Sequence, residues 1–443
     1  MHRKLIVLLA APAILGAQQQ MMQAQRATTD STLRPITMTD AVRLAKENNV
    51  QNITAYNAVR TANNGVRGAK AAMIPSLTAT AGQSISAGQR VNTQTNTLVD
   101  FVPAWAYTTG LSSQFTLFDA GKMFADVRTQ QANVVAQQAT QINTEYSVAL
   151  NVKLAYNNIL AAKESEGAAQ AQLAAAEAQM QTSIAKVNAG AANVSDSLRS
   201  VVQVGNAQLA ILTAQNTFRT QSAALTRLVG TPYFVTADLA DTVDHPVAPI
   251  DSAVIMQLAL SGPTIRQFEA QSASALASER SAKAAYLPTV SGSLNYSGSG
   301  TRALYGFNNN PYPYTRGASL SINYPIFNRF QRENNVAAAQ ISYENAEAQI
   351  KDARLGAQQN VITYIATIRN AEETMRVQQI NVRASEEDLR VQQQRYNLGA
   401  STLLDVLNSQ TALVTARQQL ITARLNYRNA RANIEAVIGR DLP

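Results

Sequence analysis

Two stretches of this chain are near-copies of each other: KVNAGAANVSDSLRS over 186–200 and RYNLGASTLLDVLNS over 395–409. Each places a glycine, Gly190 or Gly399, after a long helical run, followed by a polar residue and an Asp, Asp196 or Asp405. Glycine after a helix suits the left-handed position that ends it. Asn193-x-x-Asp196 and Thr402-x-x-Asp405 have the spacing of a capping box at the start of the next helix. Each stretch therefore predicts the tip of a tight helical hairpin, and two such tips imply an internal duplication.

The flanking sequence repeats in step. Between Asp119 and Val187 there is neither proline nor a strong turn cluster, which predicts a helix on the order of 100 Å long. A second long helix is expected over about 327–397. The returning helices, from each tip to Val229 and Ile438, carry heptad columns: Val204, Ile211, Phe218, Leu225, and Val406, Leu413, Leu420, Tyr427, Ile434. A sustained seven-residue repeat implies left-handed supercoiling against neighbours. Shorter helices are expected from Thr37-x-x-Asp40 to about Met73 and from Ser252 to Tyr286, each stopped by a proline, Pro75 or Pro288.

After each of these prolines the period becomes two. Leu77, Ala79, Ala81, Gln83 and Ile85 alternate with Thr78, Thr80, Gly82 and Ser84; Trp105 to Leu117 alternates in the same way. A polar stretch, 87–103, lies between them. In the second copy Val290, Leu294 and Tyr296 alternate with Ser291, Ser293 and Asn295, and Leu320 and Ile322 with Ser319 and Ser321. Each hairpin has one larger apolar face and one small polar face, with strands of about ten residues, enough to cross a bilayer when tilted. Trp105, Tyr107, Tyr305, Phe307, Tyr312 and Tyr314 gather near strand ends, like an interfacial girdle. Four strands cannot close a barrel, and an open edge in lipid is not viable, so two or three chains must combine. The expected organisation is a signal peptide over 1–17, with cleavage as far as about residue 24, a first repeat over 36–230 with its β-hairpin at about 76–118, a linker over 231–250, and a second repeat over 251–439 with its hairpin at about 289–324.

Composition narrows the function. Cysteine is absent, which excludes disulfides, zinc-thiolate sites and thiol nucleophiles. Histidine occurs only at His2 and His245. No GxSxG, HExxH, Walker or GxGxxG motif stands in a suitable context, so neither an enzyme nor a cofactor or metal site is expected. The net charge is +8, but the basic residues are scattered along helices rather than clustered, which argues against nucleic acid as a partner.

Taken together, the chain resembles the TolC-like outer-membrane efflux family. The resemblance runs from about Ile36 to Gly439. It is carried by the duplicated helix–hairpin–helix–helix plan, Pro75 and Pro288, LSSQFTLFDAGK (111–122), RYNLGASTLLDVLNSQTAL (395–413) and the closing Gly230 and Gly439. It implies a mixed α and β fold of two tandem repeats. Three copies would form a trimeric 12-stranded membrane β-barrel, continued by a periplasmic α-helical coiled-coil barrel. It further implies a bacterial outer-membrane location with a large periplasmic part, and a passive exit duct for drugs or other small molecules. The implied partners are two further copies, a periplasmic adaptor, an inner-membrane transporter and outer-membrane lipid. By position, Asp405, Asn408 and Tyr396, with Asp196 and Arg199 from the first copy, would surround the periplasmic aperture, and Gly190 and Gly399 would mark the turns that meet the adaptor. Capping alone is the competing role for both Asp residues. Ser401 stands where the family can have a latching Arg, and FNRFQR (327–332) lacks the Asp-x-Gly of FDAGK, which is expected to bear on the strand-to-helix bend and leave the fold unchanged. An exit duct for type I protein secretion and a non-channel coiled-coil scaffold of the envelope are the alternatives.

Overall fold

A computed structural model describes residues 33–238, 251–300 and 314–442. The signal segment, most of the linker with His245, and the aromatic loop holding Tyr305, Phe307 and Tyr312 lie outside the described residues. In chain order the elements are β1 (Arg34–Ile36), α1 (Met38–Asn48), α2 (Val50–Ala71), β2 (Ser76–Asn92), β3 (Thr97–Phe118), α3 (Lys122–Asn188), α4 (Val194–Val229), β4 (Val235–Ala237), α5 (Ser252–Ala259), α6 (Pro263–Lys283), β5 (Thr289–Gly300), β6 (Tyr314–Asn323), α7 (Gln331–Asn397) and α8 (Leu403–Ile438). The described residues group into two units that each draw on both halves of the chain: those within 1–57, 139–266 and 352–443 form one, and those within 58–138 and 267–351 the other.

The second unit holds a four-stranded antiparallel sheet in the order β2-β3-β5-β6. The register puts Leu77, Leu111, Phe115, Leu294, Leu320 and Ile322 on one face and Ser76, Thr78, Ser112, Ser291 and Ser321 on the other. The apolar face is not covered: Leu77 is 77% exposed, Leu320 66% and Ile322 72%. On the small face hydroxyls pair across the strands, Ser291 with Ser321 at 2.9 Å and Ser293 with Ser319 at 2.8 Å. Among the described residues, β2 and β6 each have one edge without a strand partner.

Several expectations need correction. The strands of the first hairpin are longer than the expected length of about ten residues, because most of the polar stretch 87–103 belongs to them. The ladder runs on through it to Asn92↔Thr97, past an irregularity between Ser86 and Gly88, so β2 has 17 residues and β3 has 22. Its backbone bonds need no alternation of apolar side chains, which is why the period-two signal stops short of the true turn. The first helix is broken at Asn49. That side chain donates to the Leu228 carbonyl at 2.8 Å and accepts the Gln51 N–H at 2.8 Å, ending α1 and starting α2. The helix from Ser252 is likewise split, with Pro263 at the first position of α6, where its missing N–H breaks no bond. Residues 34–36 pair in parallel with Val235–Ala237 of the linker, a pairing the sequence did not signal.

The strand-to-helix exits keep one geometry despite different sequences. Ala120 and Gly121 have φ of +60° and +80°, and Arg329 and Phe330 have +58° and +60°. The second exit reaches the same bend without glycine, so the missing Asp-x-Gly changes neither the bend nor the fold.

In the first unit, the heptad columns face inward as the period requires. Val204 and Leu225 are buried on α4; Val406, Leu413, Tyr427 and Ile434 are buried on α8. Val148, Val152, Tyr156 and Ile159 of α3 pack with Leu225, Val229 and Val235. A charged clasp holds the segment after α8. Lys153 donates to Glu435 at 2.7 Å and to Asp441 at 2.6 Å, and Glu435 also accepts from Arg431 at 3.1 Å and from the Leu442 N–H at 3.2 Å. No described helix is long and apolar enough to cross a membrane.

Candidate functional site

Both predicted tips are tight α-hairpins. At the α3–α4 tip Gly190 has φ +70°, the Ala191 N–H reaches the Lys186 carbonyl at 2.8 Å and the Gly190 N–H reaches Val187 at 3.0 Å. At the α7–α8 tip Gly399 has φ +76°, with Ala400 to Arg395 at 2.8 Å and Gly399 to Tyr396 at 3.1 Å. These paired bonds form a Schellman motif, which satisfies the last helix carbonyls and requires the left-handed residue that glycine supplies.

The starts of the returning helices differ. At α8 the capping box is complete. Thr402 Oγ1 accepts the Asp405 N–H at 3.4 Å, and the Asp405 carboxylate accepts from the Thr402 N–H at 2.9 Å and hydroxyl at 2.8 Å. At α4 the expected box is absent. The Asn193 oxygen accepts from the Ser195 N–H at 3.1 Å, and the Asp196 N–H goes to the Asn193 carbonyl at 2.9 Å. Asn193 thus closes a local turn two residues on, which leaves Asp196 without the return bond that a box needs.

Asp405 is exposed at the tip. Hydrogen bonds from the Thr402 backbone and hydroxyl hold its carboxyl below its ordinary value, and nearby Arg395 adds to this. Within one chain the cap therefore opposes the upward shift that crowding of like charges in a ring would produce. Asn408, one turn further on, is exposed and faces a shallow depression shared with Asn381, Ser385 and Thr411. Arg199 is exposed and Asp196 half-buried on α4. Thus Gly399, Asp405 and Asn408 share one tip, and Gly190, Asp196 and Arg199 the other.

Tyr396 brings the two tips together. It is buried among Leu389, Leu403 and Val406. Lys186, from the last turn of α3, donates to the Tyr396 carbonyl, and its Nζ stands 3.9 Å from the centre of the Tyr396 ring. Among the described residues, the Tyr396 hydroxyl is buried without a hydrogen-bond partner, as are Gln392 Oε1 and Gln410 Nε2. Lys186 was not singled out from sequence, yet it occupies in KVNAG the place of Arg395 in RYNLG. A cation matched in both copies near a helix C-terminus was the available signal. A polar seam was also missed: Ser200 donates to Ser183 at 3.0 Å, and Gln179 to Ser183 at 3.3 Å, all buried between α3 and α4.

A sheet with a polar face and an uncovered apolar face, joined to long paired helices, is the arrangement of the TolC-like outer-membrane channels. The solved channel CusC superposes with a TM-score of 0.75 at 19% identity, covering 94% of this chain and 96% of that one. Outer membrane protein TolC of Escherichia coli is 23% identical over 343 residues, 75% of this chain and 69% of that protein. Pyoverdine export outer membrane protein OpmQ of Pseudomonas aeruginosa is 27% identical over 385 residues, 84% and 78% of the two chains. The profile of the outer membrane efflux protein family matches residues 41–231 and 254–440, and the chain belongs to that family. It is an outer-membrane efflux protein and not an enzyme.

Proposed function

We propose that three copies of this chain close a 12-stranded barrel in the outer membrane, continued in the periplasm by an α-helical tunnel, as the exit duct of a tripartite efflux system. The observation that carries this is the four-stranded sheet, with an apolar face open to its surroundings and free edges at β2 and β6. In lipid each free edge must find a partner, and β6 of one copy against β2 of the next supplies it. A periplasmic adaptor then meets the turns at Gly190 and Gly399, and an inner-membrane transporter delivers the cargo. Small molecules are favoured over secreted protein because OpmQ is named for pyoverdine export and TtgF of Pseudomonas putida for toluene efflux.

At the periplasmic end, Asp405 lines the aperture as a ring of three, with Tyr396, Asn408, Asp196 and Arg199 around it. The exposure of Asp405 and the bridge from Lys186 to Tyr396 support this reading. The test is the native mass of the protein extracted from outer membranes in mild detergent, followed by conductance in a planar bilayer. A trimer that conducts is expected. A monodisperse monomer with a complete barrel signal sinks the trimer, and a trimer without conductance leaves only a scaffold.

A further inference from the structure

The apolar face of the sheet carries a cation. Arg316 of β6 lies across from Tyr296 of β5, on the face that holds Leu294, Leu320 and Ile322. Its Cζ is 5.6 Å from the centre of the Tyr296 ring, and Tyr296 stacks on Tyr314 with 5.1 Å between centres and 1° between planes. Among the described residues no carboxylate pairs with this guanidinium. An unpaired guanidinium is costly in hydrocarbon and tolerated near the interface, where headgroup anions can reach it. Arg316 lies seven residues from Asn323, after which the chain turns toward α7, and so toward the far end of the sheet. That end faces outward in the barrel described above.

Beside Arg316 the same face is furrowed. The ladder row Leu77–Ser113–Leu294–Ala318 alternates large and small side chains across the four strands. The small members leave a groove of about 580 Å³, headed by Arg316 and Tyr296. A mostly apolar groove that opens beside a guanidinium and two stacked phenols has the shape and charge of a site for an anionic lipid: an acyl chain lies in the furrow, and a phosphate meets the cation.

We propose that Arg316, backed by Tyr296 and Tyr314, is the headgroup clamp of a specific lipid site on the outer leaflet, and that its occupant is a phosphorylated saccharolipid of the lipid A type. The leaflet at the loop end of an outer-membrane barrel is the outward one, and its characteristic phosphate is carried on an acylated sugar. The inference rests on the barrel reading above, so oligomer mass and conductance are measured on the same preparations. Delipidated full-length protein is titrated with diphosphorylated lipid A, with its dephosphorylated form and with phosphatidylglycerol, and binding is read by native mass spectrometry. Wild type should bind the diphosphorylated lipid preferentially. Arg316→Gln should weaken that binding about tenfold, the loss of one charge-assisted contact, while leaving trimer mass and conductance unchanged. Arg316→Lys should fall between the two. Equal binding by wild type and Arg316→Gln overturns the proposal, as does equal binding of the dephosphorylated lipid. Phosphatidylglycerol binding as tightly as lipid A overturns the choice of occupant. A protein that forms neither trimer nor channel removes the barrel reading, and the lipid site falls with it.

Discussion

Asp405 serves two roles that one substitution separates. As a cap it needs only an acceptor oxygen, and asparagine caps nearly as well as aspartate. As part of a carboxylate ring it needs the charge, which favours cations in a narrow pore. Asp405→Asn should therefore leave the melting temperature nearly unchanged and shift the reversal potential in a salt gradient toward zero cation preference. Coincident potentials with an intact trimer would assign Asp405 to capping alone. Because the Thr402 bonds depress this carboxyl, its charge and its share of the cap persist through mild acid and are lost only as pH falls through the depressed value. Lys153 gives a second residue-scale case. Burial opposes its charge, but the bonds it donates to Asp441 and Glu435 outweigh burial and raise its pKa, while Lys153 in turn lowers that of Asp441. Lys153→Met strands the buried Glu435 with fewer cations and should destabilise the first unit by about 3 kcal/mol. The clasp of the wild type weakens in acid, as pH falls through the depressed value of Asp441, and again in strong alkali, as pH rises through the raised value of Lys153. Thermal melts across pH, wild type against Lys153→Met, should show these slopes in the wild type only.

At the scale of elements, the sheet makes a directional prediction. Leu320 and Ser321 are neighbours in β6 on opposite faces. Leu320→Arg should impair assembly by roughly 2–4 kcal/mol if it lies near the bilayer midplane, whereas Ser321→Arg should assemble and alter conductance. Equal yields of trimer for both variants would contradict the register. This register was legible in the sequence because alternation is a local signal, and so were the glycines that end α3 and α7. What escaped was set by distant partners. A three-residue strand such as β1 has no period to read, and its pairing with β4 joins the start of the first repeat to the linker that follows it. Asn49 breaks a helix only because the Leu228 carbonyl waits beside it. At the tips, the Asn193 and Thr402 caps look alike as spacing, and only the turn taken by the Asn193 side chain decides that one box closes and the other does not. The exit at Arg329–Phe330 shows the converse: the glycine at the corresponding position of the first copy is not required for the positive φ there.

For the whole molecule, the contact between the two tips is the point of leverage. Lys186 ties α3 to α7 through one carbonyl bond and one ring contact. Lys186→Ala should remove about 1–3 kcal/mol from that arrangement and raise single-channel conductance, with trimer mass unchanged. Unaltered conductance would mean that the aperture is held elsewhere. The strand order has a consequence of another kind. β3 pairs with β5, yet α3, α4, the linker, α5 and α6 are all synthesised between them. The first hairpin can form early, but its inner edge must then wait, unpaired, until the second half of the chain has emerged. Long-range pairing of this sort is slow, because the ends of a long loop must meet before any contact rewards them. During that delay the β2–β3 hairpin exposes both an apolar face and an open edge. The vulnerable moment in the life of this protein is thus the interval between its two hairpins, when protection by a chaperone would matter most.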